Sequence, residues 1–234
     1  AAALGRERGF DGIDINMGCP DRNVEKQGAG ANLIKNPNLT KEIISAAKEG
    51  ARDLPVSVKT RIGYSRDITE EWTEFLLSQN LALITFHLRT RREMSKTPAQ
   101  WDALKRAISI RDCRKSETLI FGNGDIMSLE QARVQARVTG ADGIMIGRAI
   151  FGNPWFFSGT DRKDLSAKTR LLTLLEHTLL FKKLFSNSKN FAVMKKHFKS
   201  YTADLDGAKE LRVQLMEAKS PEDVSKIITD FLSS

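Results

Sequence analysis

The feature that most constrains this chain is a rhythm. Over its first two-thirds, five short apolar runs alternate with amphipathic stretches of helical period. The runs cover residues 12–16, 55–61, 83–88, 118–122 and 143–147, and the helical stretches 39–51, 69–79, 98–108 and 128–139. Each run is rich in Ile, Val or Leu, as strands buried on both faces should be. Repeated strand–helix–strand order predicts parallel strands joined by right-handed crossovers. A (β/α)8 barrel and a doubly wound sheet both accommodate that order. No GxGxxG follows the first run, and glycine-rich segments follow the last two, where barrels often build a phosphate site. The expected fold is therefore α/β, a partial (β/α)8 TIM-type barrel of about five βα units. Five strands do not close an eight-stranded barrel, and residues 1–9 read as the end of a helix. About three further βα units are expected ahead of Ala1.

After Trp155-Phe156-Phe157 the pattern changes. Residues 158–167 read as a polar linker, and four helical stretches follow at 168–185, 190–203, 207–218 and 221–232. Two domains are expected, 1–157 as a barrel and 158–234 as a small all-helical domain. Several starts carry cap signals. Thr69-Glu70-Glu71 and Ser128-Leu129-Glu130 place a hydroxyl before early acids, and Ser220-Pro221-Glu222-Asp223 adds a proline at the first helical position.

No apolar run approaches the ~20 residues of a membrane span. Residues 1–12 carry Arg6, Glu7 and Arg8 where a signal peptide needs an apolar stretch. Two well-separated cysteines, without CxxC or a His/Cys cluster, point to a reducing cytoplasm and away from zinc. A monomer is expected. Lys and Arg total 37 against 29 Asp and Glu, a net +8. A solvated surface accounts for such an excess as well as a polyanion partner does. Its distribution favours the partner: residues 168–199 hold eight basic side chains, Arg170 among them, against the single acid Glu176.

The first run ends in Asn16-Met17-Gly18-Cys19-Pro20. A residue beyond a strand's carboxyl end stands at the active mouth of a barrel. Gly18 and Pro20 favour a sharp turn that presents the thiol instead of burying it. Thiols ordinarily keep a transferable proton at neutral pH. A free cysteine is more often a small buried hydrophobe; Cys113 fits that description or a surface loop, and Cys19 does not. Lys59 ends the apolar run of residues 55–59, so a solvated lysine is disfavoured there, and Arg61 shares its side of the strand. A lone histidine such as His87 is more often structural than catalytic. Gly122-Asn123-Gly124-Asp125 reads as a simple turn on its own. Paired with Gly147-Arg148 after the next strand, it suits a phosphate, with Arg148 adding charge-assisted donors.

The run GIDINMGCPDRNVEKQGAGANLIKNP resembles the signature of the tRNA-dihydrouridine synthases. Similarity continues at Val58-Lys59-Thr60-Arg61, His87-Leu88-Arg89-Thr90-Arg91, Gly122-Asn123-Gly124-Asp125-Ile126 and Gly147-Arg148. It returns in the tail at Met194-Lys195-Lys196-His197 and Gly207-Ala208-Lys209-Glu210-Leu211-Arg212. The resemblance implies an FMN enzyme that reduces the C5–C6 double bond of selected uridines in tRNA, with NADPH as reductant of the flavin. It implies hydride delivery to C6 and protonation of C5 by Cys19. It places Lys59 and His87 beside the flavin, Asn123, Gly124, Asp125, Gly147 and Arg148 around its phosphate, Asn16 at the uracil edge or the flavin, and Arg61 near the uracil or an RNA phosphate. The tail is then an RNA-binding bundle in which Lys195, Lys196 and His197 meet tRNA. Leu88 stands where the family usually has glycine, and Lys195 where it usually has arginine, which loses a bidentate fork. Two other readings remain at this point: an FMN barrel acting on a free pyrimidine, as dihydroorotate dehydrogenases do, and a non-catalytic tRNA-binding protein.

Overall fold

A computed structural model describes residues 1–233, and the chain forms two compact units, Ala1–Gly147 and Arg148–Ser234. The division falls ten residues ahead of the boundary read from composition. Three single-turn 3-10 segments, Arg148–Ile150, Phe156–Ser158 and Arg162–Asp164, lie between it and the first long helix of the second unit.

The first unit runs α1 (Ala2–Glu7), β1 (Ile13–Met17), α2 (Arg22–Lys26), α3 (Pro37–Ala51), β2 (Val56–Arg61), α4 (Thr69–Leu77), β3 (Leu83–His87), α5 (Trp101–Cys113), β4 (Leu119–Asn123), α6 (Leu129–Thr139) and β5 (Gly143–Met145). All five strands are parallel and stand side by side in chain order. A doubly wound sheet would reverse direction at a switch point. Monotonic order with right-handed crossovers puts successive helices on one face, as in part of a (β/α)8 barrel.

That helix-side face is the core. Met17, Val56, Val58, Ile84, Phe86 and Ile120 pack with Ile44, Trp72, Leu76 and Leu104 from the helices. The Trp72 indole N–H donates to Thr60 Oγ1 at 3.0 Å, so the largest buried ring leaves no polar group orphaned. Helix α5 lies so close to β4 that a Cβ on Gly122 would stand 2.6 Å from Leu104 Cδ2. The helix starts follow the cap signals with one correction. Ser128 caps α6 by accepting from Gln131 N, but Thr69 is fully buried as the first residue of α4. Asp67 does the capping, accepting from Thr69 N at 2.9 Å. The five-residue α2, capped by Asp21, lies in a segment where no helix is expected from the sequence.

Leu88 is fully buried and its N–H donates to Asn123 O at 3.0 Å, prolonging the β3–β4 ladder by one rung. Its φ is negative, so the position does not require the glycine usual in the family pattern.

The second unit carries α7 (Ala167–Phe185), α8 (Ala192–Tyr201), α9 (Ala208–Glu217) and α10 (Pro221–Ser233) around Leu171, Leu174, Met194, Phe198, Leu215 and Ile228. Ser220 and Asp223 form a reciprocal cap at the start of α10. Arg170 corrects the basic-patch reading. It is buried, and its guanidinium donates to the carbonyls of Tyr201 and Ala203, so it ties α7 to the end of α8 instead of facing solvent.

Candidate active site

Strand register assembles side chains distant in sequence into layers on the sheet face opposite the core. One layer crosses Asn16, Lys59, Thr85, Phe121 and Gly143; the next, nearer the carboxyl ends, crosses Arg61, His87, Asn123 and Met145. Four residues expected at the site, Asn16, Lys59, His87 and Asn123, therefore share one face. Lys59 is half-buried, and its ammonium makes no hydrogen bond or ion pair within the described residues. Burial lowers its pKa, Arg61 lowers it further, and Asp14 partly opposes the shift.

His87 is held neutral. Burial pushes its pKa down to about 3, with further lowering from Arg61, Lys59 and Arg89. Its Nε2 lies 3.5 Å from Arg89 Nη1, which can only donate, and this assigns the ring proton to Nδ1.

The Cys19 turn is fixed from several directions. Asn16 Oδ1 accepts from Gly18 N at 3.0 Å and Cys19 N at 3.1 Å, leaving the Asn16 amide NH2 as a donor. Ala31 N donates to Cys19 O at 2.9 Å. Arg61 is buried, with Nε on Gly18 O at 2.8 Å and Nη1 on the carbonyls of Thr90 and Met94, each at 3.0 Å. Its geometry is that of a buried brace from β2 that ties the turn after β1 to the loop after β3. Cys19 is partly exposed in this frame. Gly30 closes over it at φ +60°, and an added Cβ would stand 2.6 Å from Cys19 O. Gly30→Ala is therefore expected to destabilise the first unit by about 1–3 kcal/mol, from overpacking together with an unfavourable φ. Chemical denaturation measures this directly, and an unchanged midpoint would refute the close approach.

Around the last two strands, Asn123 Nδ2 donates to Met145 O at 2.8 Å. Asp125 pairs with the buried Arg89 and accepts from Ala99 N at 2.9 Å. Its carboxylate is thus spent on holding the β3 and β4 loops together, and a carboxylate repels phosphate. Gly124 and Gly147 flank this loop pair, whereas Arg148 opens the second unit. In that unit Lys195 donates to Met216 O, Lys196 is exposed, and the His197 ring lies 5.1 Å from that of His177 and 6.5 Å from Phe151. Arg91, Glu25 and Arg89 escape a sequence reading of the site. Both arginines lie within a quoted motif, but their partners are up to 66 residues away.

All three histidines carry lowered pKa values, burial being the first cause at His87, His177 and His197 alike. The unfolded chain takes up these protons near pH 6.5, before the folded chain does, so stability falls as pH drops from about 6.5. The ceiling is about 1.4 kcal/mol per pH unit for each histidine. The shifted acids Glu25 and Glu222 act in the same direction but only below their ordinary 4.5. Urea midpoints should therefore already decline between pH 7 and 5; a flat profile would contradict this.

Among the described residues no helix is long and apolar enough to cross a membrane, and no cluster of His, Cys, Asp or Glu could hold a metal ion. The family model described as Dihydrouridine synthase (Dus) matches residues 1–234. The chain is 42% identical over 228 residues to the probable tRNA-dihydrouridine synthase of Staphylococcus epidermidis strain RP62A, covering 96% of this chain and 69% of that protein. It is 43% identical over 229 residues to the probable tRNA-dihydrouridine synthase 2 of Bacillus subtilis strain 168, with the same coverage. With the Staphylococcus aureus strain N315 protein of the first name it shares 42% over 226 residues, 95% of this chain and 68% of that one. By its whole length and by these relatives, the chain belongs to the dihydrouridine synthase family.

Proposed function

We propose that this chain reduces the C5–C6 double bond of uridine in tRNA to dihydrouridine, in the cytoplasm, with FMN as cofactor, NADPH as its reductant and Cys19 as proton donor. The carrying observation is a partly exposed thiol on a braced turn, next to a strand whose Lys59 is half-buried with no hydrogen-bond partner for its ammonium among the described residues. An unpartnered cation in a partly dry site suits an electron-rich ring or an anion. The neutral His87, the Asn16 amide and the glycines Gly124 and Gly147 at the last two strands suit the rest of a flavin nucleotide.

Reduced FMN, when bound, supplies the hydride for C6. The protein's own residues do the remainder. Asn16 shapes the Cys19 turn through Oδ1 and keeps its NH2 to meet a carbonyl of the ring. Cys19 moves its Sγ proton to C5, on the carbon adjacent to the one that receives hydride. Lys59 holds positive charge at the face of the sheet. His87 offers an Nδ1–H while adding no charge. In the second unit, the exposed Lys196 and Lys199 contact tRNA phosphates.

Nucleoside analysis of tRNA from cells lacking the gene tests this reading, and dihydrouridine should disappear from at least one position. An unchanged nucleoside profile, with the purified protein lacking flavin absorbance, would overturn it.

A further inference from the structure

Arg91 stands early in the loop that follows β3, yet its side chain reaches the Cys19 loop. Its Nε donates to both carboxylate oxygens of Glu25 at 2.9 Å, and its Nη2 to Glu25 Oε2 and, at 3.2 Å, to Pro20 O. Pro20 follows Cys19 directly, and Glu25 sits on α2, the helix immediately after it. The pair is largely sheltered, with side-chain exposures of 21% for Arg91 and 10% for Glu25. The Tyr64 ring backs it: Lys35 Nζ stands 4.4 Å and Arg91 Cζ 5.7 Å from the ring centroid. Arg91 N donates to Gly63 O at 2.9 Å, so the arginine is anchored on the β2 loop as well. A bidentate pair fixes direction as well as distance. Asn16, Ala31 and Arg61 hold the near side of the turn; Arg91 and Glu25 hold the far side.

We propose that Glu25 and Arg91 are positioning residues for the proton-transfer step, a latch that holds the Cys19 loop at the distance and angle the thiol needs. The latch is a property of the loop; its effect on rate rests on the reading of Cys19 as proton donor. Arg91 is not then a tRNA phosphate ligand, because its guanidinium is already committed to Glu25 and Pro20.

The test uses Glu25→Ala, Arg91→Ala and their double variant in the full-length protein, with Cys113→Ser throughout so that Cys19 is the only alkylatable thiol of this sequence. Iodoacetamide should trap Cys19 several-fold faster in each variant, because the loop opens. With tRNA as substrate, kcat should fall about 10- to 100-fold, the scale of a displaced reacting group. KM for tRNA and the rate of flavin reduction by NADPH should stay unchanged. The double variant should lose no more than the worse single, since both act through one interaction. Arg91→Lys keeps the charge but not the fork, and should accelerate alkylation in the same direction even if Arg91→Ala folds poorly. Unchanged alkylation, or losses that add in the double variant, would overturn the latch. So would a KM raised by Arg91→Ala and lowered by Glu25→Ala, the pattern of a freed phosphate ligand. If Cys19→Ala retains full product formation, the proton-donor reading fails, and the alkylation rates still decide whether the latch exists.

Discussion

Replacing Cys19 with alanine is expected to lower dihydrouridine formation by about 10²–10⁴-fold, the usual worth of a positioned acid. The substitution removes one sulfur from a turn held through the backbone of residues 18–20 by the side chains of Asn16, Arg61 and Arg91 and by the Ala31 N–H. The fold should therefore persist. Reduction of the flavin by NADPH should remain near normal, because the thiol acts on the uracil alone. Stopped-flow bleaching of the flavin by NADPH, followed by single-turnover product formation, separates the two half-reactions. Loss of both together would point to a collapsed site; near-normal product would remove Cys19 from the mechanism.

The second large effect concerns tRNA affinity. Of the basic residues in 168–199, Arg170 is buried, Lys182 pairs with Glu222, Lys195 donates to Met216 O and Lys189 lies over the Phe185 ring. Lys196 and Lys199 are exposed on α8, their ammonium groups make no hydrogen bond or ion pair among the described residues, and so they remain available to phosphate. Removing one phosphate-bound lysine should lower the salt slope of affinity by about one unit, or roughly tenfold in affinity near 0.1 M salt. Lys196→Glu with Lys199→Glu is thus expected to weaken tRNA binding by about 100-fold or more at that salt and far less at high salt. Flavin reduction by NADPH should not change. Filter binding across a salt series reads this out. An unaltered slope and affinity would exclude this face as a tRNA-binding surface, leaving the enzymatic reading to the first unit.

Much of this was legible in the sequence, for identifiable reasons. The five strands fall within about two residues of their apolar runs because parallel interior strands need near-continuous hydrophobicity. Their parallel pairing followed from the strand–helix rhythm, their chain order from the glycine-rich segments that favoured a barrel, and the convergence of Asn16, Lys59 and His87 from their positions at strand ends. Helix α2 was invisible because five residues are too few to display a period. Thr69 looked like a cap, but it lies inside the helix and the Asp67 carboxylate two residues earlier accepts from its N–H. Arg170 looked like surface charge because composition cannot tell a solvated guanidinium from one whose donors are used by Tyr201 and Ala203. The Glu25–Arg91 pair spans 66 residues, and nothing local to either partner announces the other.

The layered register has a consequence for which codons can be deleted. Side chains alternate faces along a strand, so removing one residue between Val56 and Lys59 would slide the remainder of β2 by one step. Lys59 would then turn toward the helices, and the uncharged Thr60 would take its place beside Asn16. Deleting a codon in the segment 114–117, at the opposite end of the sheet, leaves every layer in register and shortens only a connection between α5 and β4. Single-codon deletions should therefore be purged from the strands and tolerated among the helix-to-strand connections, so that length variation among natural sequences collects at one end of the sheet while the other keeps its spacing.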